Sequence, residues 1–286
     1  MGIPGWALRG VCRGLQMAGS FGVAGTLFLS ATLLRRALPP AVRWVAWTSL
    51  ALALAAGAGW FFAQSADFAG AANWQQTVAA LPLVAADTRF GCLLIGRSVA
   101  LIAALLCFQA GCRRPAALLG FGAVAAEAWL THGGATPGVV GDVLLWSMVV
   151  HLIAGAAWLG ALPALYCGLH SLPGPVAAEL ARRFSPVGMA CVAALTVTAG
   201  IQSWLLIGSI PAFWATPYGR AALAKFLLLV GLIALATLNR FRLTPAMPAS
   251  RAALTRSIAV ETALGLCVLL AAGALLQFAP SAMAGH

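Results

Sequence analysis

Charged side chains are scarce in this sequence, and acidic ones are the scarcest. Only 8% of the 286 residues are charged, with 17 Lys or Arg against six Asp or Glu, whereas 62% are hydrophobic. A soluble domain has about a quarter of its residues charged, and it could not cover its surface with so few charges. The composition therefore excludes a soluble enzyme, a secreted disulfide scaffold and a disordered chain, and it leaves a multi-pass membrane protein.

Several familiar motifs are also missing. The seven cysteines are an odd number and no two are spaced C-x-x-C, so neither a disulfide framework nor a structural zinc site is expected. No Walker motif is present, so we do not expect this chain alone to drive ATP-dependent pumping. The cations stand singly or in pairs between apolar runs, so no nucleic-acid partner is expected. We expect a transport protein rather than an enzyme.

Eight apolar runs are long enough to cross a bilayer, since about 20 residues span the hydrocarbon. They are residues 15–34, 44–64, 90–111, 115–131, 142–169, 184–208, 218–238 and 257–278. The sequence thus predicts an all-α polytopic membrane bundle of eight transmembrane helices. It forms one domain, 1–286, in which the motifs concentrate in a core at 115–279. The loop at 67–87 has room for a short interfacial helix.

The arginines indicate how this bundle is oriented. Eleven of the seventeen cations follow the first, third, fifth and seventh runs. Cytoplasmic loops carry an excess of Lys and Arg, so this asymmetry predicts that both termini face outward.

Four ionisable residues lie inside the apolar runs, where burial makes charge costly and a functional role common. They are Arg97, Glu127, Lys225 and Glu261. We expect Glu127 to pair with Arg97 or Lys225, either as a structural ion pair or as a group that moves ions or protons. Glu261 lies near the cytoplasmic end of its run, where Arg240 or Arg182 could neutralise it, so a structural role is favoured there.

Imidazole and thioether groups in the outer half of the bundle suggest a metal site. His151 lies about 13 Å down the fifth helix, and Met148 precedes it by one turn on the same face. His132 ends the fourth run on the outer side. Imidazole and thioether ligands suit copper, and the thioether favours Cu(I). Met17 and Cys92 lie at a comparable depth and could complete the site.

Two other functions remain open from the residues. His132 and His151 could ligate a b-type haem across two helices, as in a membrane electron-transfer protein, although His170 and His286 are poorly placed for a second haem. Alternatively, the protein could hold copper for delivery to a cuproenzyme without transporting it. A visible spectrum tests the first alternative, and copper uptake into proteoliposomes tests the second.

Several short motifs, in order along the chain, resemble the copper resistance protein D (CopD) family. Residues 151–162 are similar to its H-L-x-A-x-x-x-W-x-G-x-L signature, which contains Trp158 and Gly160. Residues 183–185 match its R-F-S segment, and the downstream matches to its T-x-Y-G-R…K…N-R run and closing glutamate include Tyr218, Gly219, Lys225, Asn239 and Glu261. Two positions depart from the pattern. Met148 stands where the family often has Asp, and His132 has Thr and Gly as neighbours instead of Gly and Ala.

The resemblance implies an eight-helix protein of the bacterial cytoplasmic (inner) membrane that takes up copper from the periplasm. It also implies a separate periplasmic copper-binding partner of the CopC type, in addition to the surrounding lipid. Met148 in place of a carboxylate makes the expected site softer and better suited to Cu(I).

Overall fold

The structure is a computed structural model that describes residues 5–34, 38–280 and 282, without the side chains of His132 and Ala135. Within these residues all regular secondary structure is helical, which confirms the predicted all-α class. The helices are α1 (Gly5–Thr32), α2 (Pro40–Phe68), α3 (Trp74–Asp87), α4 (Arg89–Gln109), α5 (Arg113–Ala125), α6 (His132–Ala135), α7 (Gly138–Trp158), α8 (Leu162–Ser171), α9 (Gly174–Ile207), α10 (Ala212–Ala215), α11 (Pro217–Leu238) and α12 (Arg251–Leu275). The 3-10 segments Ala126–Leu130 and Leu159–Ala161 extend α5 and join α7 to α8, and a π-helical turn, Asn239–Leu243, extends α11.

Six stretches of the described chain are long and apolar enough to cross a membrane, which makes this a multi-pass membrane protein. They are Pro40–Phe68, Arg89–Gln109, Gly138–Ser171, Gly174–Ile207, Pro217–Leu243 and Arg251–Leu275. The sequence predicts eight spans, and the other two correspond to α1 and to α5 with its 3-10 extension. Helix α1 is long enough, but its many glycine and serine residues and a glutamine lower its hydropathy. Helix α5 has only 13 residues before the 3-10 segment begins.

The loop at 67–87 contains a helix, as expected. Helix α3 begins at Trp74, where the side-chain oxygen of Asn73 accepts a hydrogen bond of 3.0 Å from the amide of Gln76. This N-cap satisfies one of the free amides at the helix start. The helix continues through Pro82 to Asp87, and α4 follows it after Thr88.

Helix α1 is the most enclosed long helix of the bundle, with sixteen of its 28 residues buried. It packs on α2 and α12 and on the 3-10 turn after α7. This close approach requires glycine on both sides. A Cβ on Gly160 would overlap the carbonyl oxygen of Phe21, and a Cβ on Gly25 would overlap the backbone of residues 160 and 161. The Gly160 of the family signature is therefore the point where the chain passes directly against α1.

A groove runs between α9 and α11. Helix α7 packs on α9, and α11 packs on α12, whereas α9 and α11 contact each other at few positions. The span that contains α11 is also the least enclosed of the six candidate spans, since only 6% of its most apolar stretch is buried. The gap between these two pairs of helices creates the internal space in which the candidate site lies.

Candidate functional site

A cavity of about 610 Å³ is bounded by α1, α7, α9, α11 and α12. Most of its wall is aliphatic or aromatic. The side chains that break this pattern are two thioethers, an imidazole and a few polar groups. They are Met17, Met148, His151, Gln202, Tyr218 and Lys225, together with the hydroxyl residues Thr131, Thr196 and Ser203. We call this space the outer cavity, because it contains the residues predicted to lie in the outer half of the bundle.

Three of the five predicted metal ligands border the outer cavity. His151 and Met148 come from adjacent turns of α7, and Met17 comes from α1. Met17 is only 4% exposed and belongs to the same packed cluster as Met148. The sequence places these residues at similar depths, and the packing of α1 against α7 brings them to one space.

The side chain of Thr198 positions the imidazole of His151. The Thr198 Oγ1 lies 2.8 Å from His151 Nδ1 and 2.7 Å from the carbonyl oxygen of Ala194 on its own helix. The hydroxyl has one proton, and the carbonyl can only accept. When the hydroxyl donates to Ala194, it accepts from Nδ1–H, and the lone pair of His151 is then on Nε2. A metal-binding histidine is commonly fixed in this way by a partner on its other nitrogen.

The remaining two predicted ligands have different outcomes. The side chain of His132 lies outside the described residues. Its neighbour Gly133, however, borders the outer cavity. Cys92 is exposed at the start of α4, and its thiol lies 3.5 Å from the carbonyl oxygen of Ala86. It does not border the outer cavity, so the structure does not bring Cys92 to the other candidates.

A preformed metal cluster is not evident in the described residues. No three of their His, Cys, Asp and Glu side chains come together in a way that could hold a metal ion. The outer cavity also contains two methionines, whose thioethers can bind soft metal ions. Any copper bound by the described residues would therefore depend on thioethers as well as on one imidazole.

The buried carboxylate Glu127 joins two arginines. Its Oε1 lies 2.9 Å from Arg13 on α1, and its Oε2 pairs with Arg97 on α4. Arg13 also donates to the carbonyl oxygen of Leu130 at 2.7 Å and stacks over Trp60, with 4.7 Å between its guanidinium carbon and the ring. The expected pairing with Arg97 is confirmed, and the alternative pairing with Lys225 is wrong. The sequence did not identify Arg13 as a partner, because it lies before the apolar run and looks like a flanking cation.

Lys225 instead faces the outer cavity. It lies within electrostatic reach of His151, and no ion pair or hydrogen bond to it is found among the described residues. Among the described residues that line this cavity, Lys225 is the only one with a charged side chain.

The second intramembrane carboxylate, Glu261, borders a smaller cavity of about 260 Å³ further along the same groove. Its Oε1 accepts a hydrogen bond of 2.9 Å from Asn239. Among the described residues, the arginines expected to neutralise it have other partners, since Arg240 donates to Ser185 and Arg182 pairs with Glu179. The expectation of an arginine partner is therefore wrong, and the partner is an amide. We call the smaller cavity that Glu261 borders the inner cavity.

Trp158 separates the two cavities. It is 2% exposed and is the only described residue that borders both of them. The outer and inner cavities therefore follow one another along the groove between α9 and α11, with one indole between them. The family motif thus places its tryptophan between the two cavities.

The other family-motif residues shape the start of α11. The Oγ1 of Thr216 accepts a hydrogen bond of 2.9 Å from the amide of Gly219 and so caps the helix. A Cβ on Gly219 would overlap the carbonyl oxygen of Ala212, so this tight turn requires glycine. The adjacent Tyr218 is buried and borders the outer cavity.

The fold defines a multi-pass helical membrane protein with an internal cavity lined in part by two methionines and one histidine. Two family models match the chain: the copper resistance protein D-like N-terminal domain over residues 6–142, and copper resistance protein D over residues 178–275. The chain belongs to the copper resistance protein D family.

Three curated relatives are similar to parts of the chain. Copper transport protein CutJ of Bacillus subtilis is 29% identical over 53% of this chain and 28% of its own length. Inner membrane protein YebZ of Escherichia coli is 31% identical over 41% of each protein. Copper resistance protein D of Pseudomonas syringae is 29% identical over 62% of this chain and 61% of its own. The chain therefore spans less than two thirds of the length of each relative. No solved structure matches it.

Proposed function

We propose that this protein transports copper across the bacterial cytoplasmic membrane, from the periplasm inward, and that the ion first binds in the outer cavity. The observation that carries this proposal is the convergence of Met17, Met148 and His151 on one cavity in a member of a copper resistance family. The path continues past Trp158 to the inner cavity and then to the arginine-rich end of the bundle.

The direction follows from a proposed topology of eight crossings. Six are the candidate spans, and α1 and α5 with its 3-10 extension provide the other two. Both termini then lie outside, and the loops after α2 and α3 and before α7 face the periplasm. The arginines between α4 and α5 and between α11 and α12 lie on the cytoplasmic side, as the charge rule requires. On this topology the outer cavity is the one nearer the periplasm.

The ligand chemistry favours Cu(I). A bare cation cannot enter hydrocarbon, so the site must replace its water with ligand atoms. Two thioethers and a neutral imidazole bind a soft monovalent ion well and add no charge of their own. With Nδ1–H held by Thr198, Nε2 of His151 is the nitrogen available to the metal. We further propose that His132 supplies a second imidazole, whereas Cys92 is not included in this ligand set.

The proposed assembly is one integral-membrane domain, 1–286, that receives copper from a separate periplasmic protein of the CopC type. Cores shared between helices from both ends of the chain support the single domain, since one buried cluster joins α1 and α2 to α9 and α12. The periplasmic partner is proposed on the family resemblance alone.

The first prediction is that His151→Ala removes high-affinity copper binding. The matched control is His170→Ala, which makes the same substitution at the end of α8 and away from the outer cavity. Purified proteins are loaded with Cu(I), washed, and analysed for metal by mass spectrometry. We expect His170→Ala to retain the parent stoichiometry and His151→Ala to lose it. Equal stoichiometry in all three proteins would reject the outer cavity as the copper site.

The second prediction concerns the thioethers, and the same preparations also test the alternative functions. Met148→Leu should weaken copper binding, whereas Met189→Leu, at the inner cavity, should not weaken the first binding step. Copper that binds but does not accumulate inside proteoliposomes would identify a holding or assembly protein. A Soret band with dithionite-sensitive α bands in the purified protein would identify a haem protein and exclude the copper proposal.

A further inference from the structure

The charge of the outer cavity is positive, which disfavours the binding of a cation on its own. Lys225 is the only charged side chain among the described residues that line it, and no described Asp or Glu borders it. Proximity to an ammonium in a poorly solvated space raises the energy of a bound copper ion. The site as built therefore requires a negative partner that the described residues at the cavity do not provide.

The nearby carboxylates cannot serve as that partner. Glu127 is already paired with both Arg13 and Arg97, and that cluster has a net positive charge. Asp142 is exposed near the start of α7 and does not border the cavity. Glu261 borders the inner cavity, on the other side of Trp158. A negative charge must therefore arrive with the ion.

The wall of the cavity offers donors for such an anion. The side chain of Gln202 borders the cavity and is 9% exposed, and its amide nitrogen is buried without a hydrogen-bond partner among the described residues. An unsatisfied buried donor is costly and calls for an acceptor. Gln202 lies one turn beyond Thr198 on α9, on the face that contacts His151. Lys225 reaches the same space from α11.

We infer that the outer cavity contains an anion subsite formed by Lys225 and Gln202, and that copper occupies the cavity as a complex with a small monovalent anion. The inference rests on the proposed copper function and specifies the form of its substrate. Cu(I) bound by neutral protein ligands and one anion adds no net charge beside Lys225. A cavity of about 610 Å³ also has far more room than a bare ion needs.

The test uses chloride as the anion. Cu(I) affinity is measured by competition with a chromophoric chelator, in chloride and in methanesulfonate at the same ionic strength. Chloride also binds Cu(I) in solution, but it does so equally for every variant, so the ratio of parent to variant isolates the protein. We expect the change to chloride to favour the parent over Lys225→Leu by about tenfold, the effect of one buried charged contact.

Two further variants complete the comparison. Arg220→Leu is the matched control, because it removes a cation from the exposed side of α11 without altering the cavity, and it should respond to chloride as the parent does. Gln202→Leu should show a reduced chloride response. It also tests the inference if Lys225→Leu does not fold.

A direct measurement does not depend on copper. Crystals of the copper-free parent soaked in bromide should show anomalous scattering beside Lys225, and crystals of Gln202→Leu should show less. Absence of bromide there, or an equal chloride response in the parent and both cavity variants, would overturn the anion subsite. If copper binding still requires His151 in that case, the proposed function stands. If copper binds in neither medium, the proposed function fails instead.

Discussion

At the scale of single residues, the site depends on groups that act through others. The imidazole of His151 is part of a recognisable motif, but its orientation comes from Thr198 on a neighbouring helix. That threonine lies 47 positions away, and nothing in its own sequence neighbourhood marks it as a partner. Only the packing of α7 on α9 brings its hydroxyl to Nδ1 of His151, and in the proposed site this contact leaves Nε2 for the metal.

The third prediction follows from this contact. Thr198→Val keeps the shape of the side chain but removes the hydroxyl, so His151 loses the group that holds Nδ1–H. Loss of such a partner commonly weakens metal affinity about 10- to 100-fold, and we expect an effect in this range. The control is Thr196→Val on the same helix, since its hydroxyl bonds only Val192 and does not contact His151. Chelator competition measures both, and an unchanged affinity in Thr198→Val would show that the threonine does not position the ligand.

At the scale of helices, the cluster of Arg13, Glu127 and Arg97 ties three elements together. It joins the first half of α1, the middle of α4 and the 3-10 segment after α5. The first and the last of these belong to α1 and to α5 with its extension, neither of which is among the six candidate spans. An ion cluster in this position makes α1 an interior helix, because its arginine must be inside the bundle to meet the carboxylate.

The fourth prediction concerns this cluster. Glu127→Gln leaves two buried guanidinium groups without a counter-charge, and removal of one partner from a buried ion pair costs about 3–5 kcal/mol. We therefore expect Glu127→Gln to lower the thermal stability of the purified protein markedly. Glu179→Gln is the matched control, since Glu179 pairs with Arg182 and Arg183 at an exposed position and should not change the melting temperature. Transport lost at unchanged stability in Glu127→Gln would instead assign this carboxylate to ion or proton movement.

The sequence predicts the helices well and their side-chain encounters poorly, for a physical reason. Each apolar run forms a helix because it must satisfy its own backbone in the membrane, so α4 and α11 begin and end within a few residues of the predicted bounds. Whether two residues meet depends on how each helix is rotated and which helix is its neighbour. Met17 and Met148 meet and Cys92 does not, although all three have similar predicted depths.

At the scale of the whole molecule, the proposed direction of copper movement depends on how the bundle is inserted. Two exposed cysteines at opposite ends of α4 can report this. Cys92 lies one turn into the helix, and Cys112 lies just after its end. The proposed topology places Cys92 on the periplasmic side and Cys112 on the cytoplasmic side.

The fifth prediction uses these residues in proteins that retain only one of the seven cysteines. A membrane-impermeant maleimide applied to intact spheroplasts should label the protein with Cys92, and it should label the protein with Cys112 only after the membrane is made permeable. Cys92 makes only weak contacts with the carbonyl oxygens of Ala85 and Ala86, so it remains accessible to the reagent. The opposite labelling pattern would show that the bundle is inserted in the opposite orientation. The outer cavity would then face the cytoplasm, and the same ligands would load copper for export rather than for uptake.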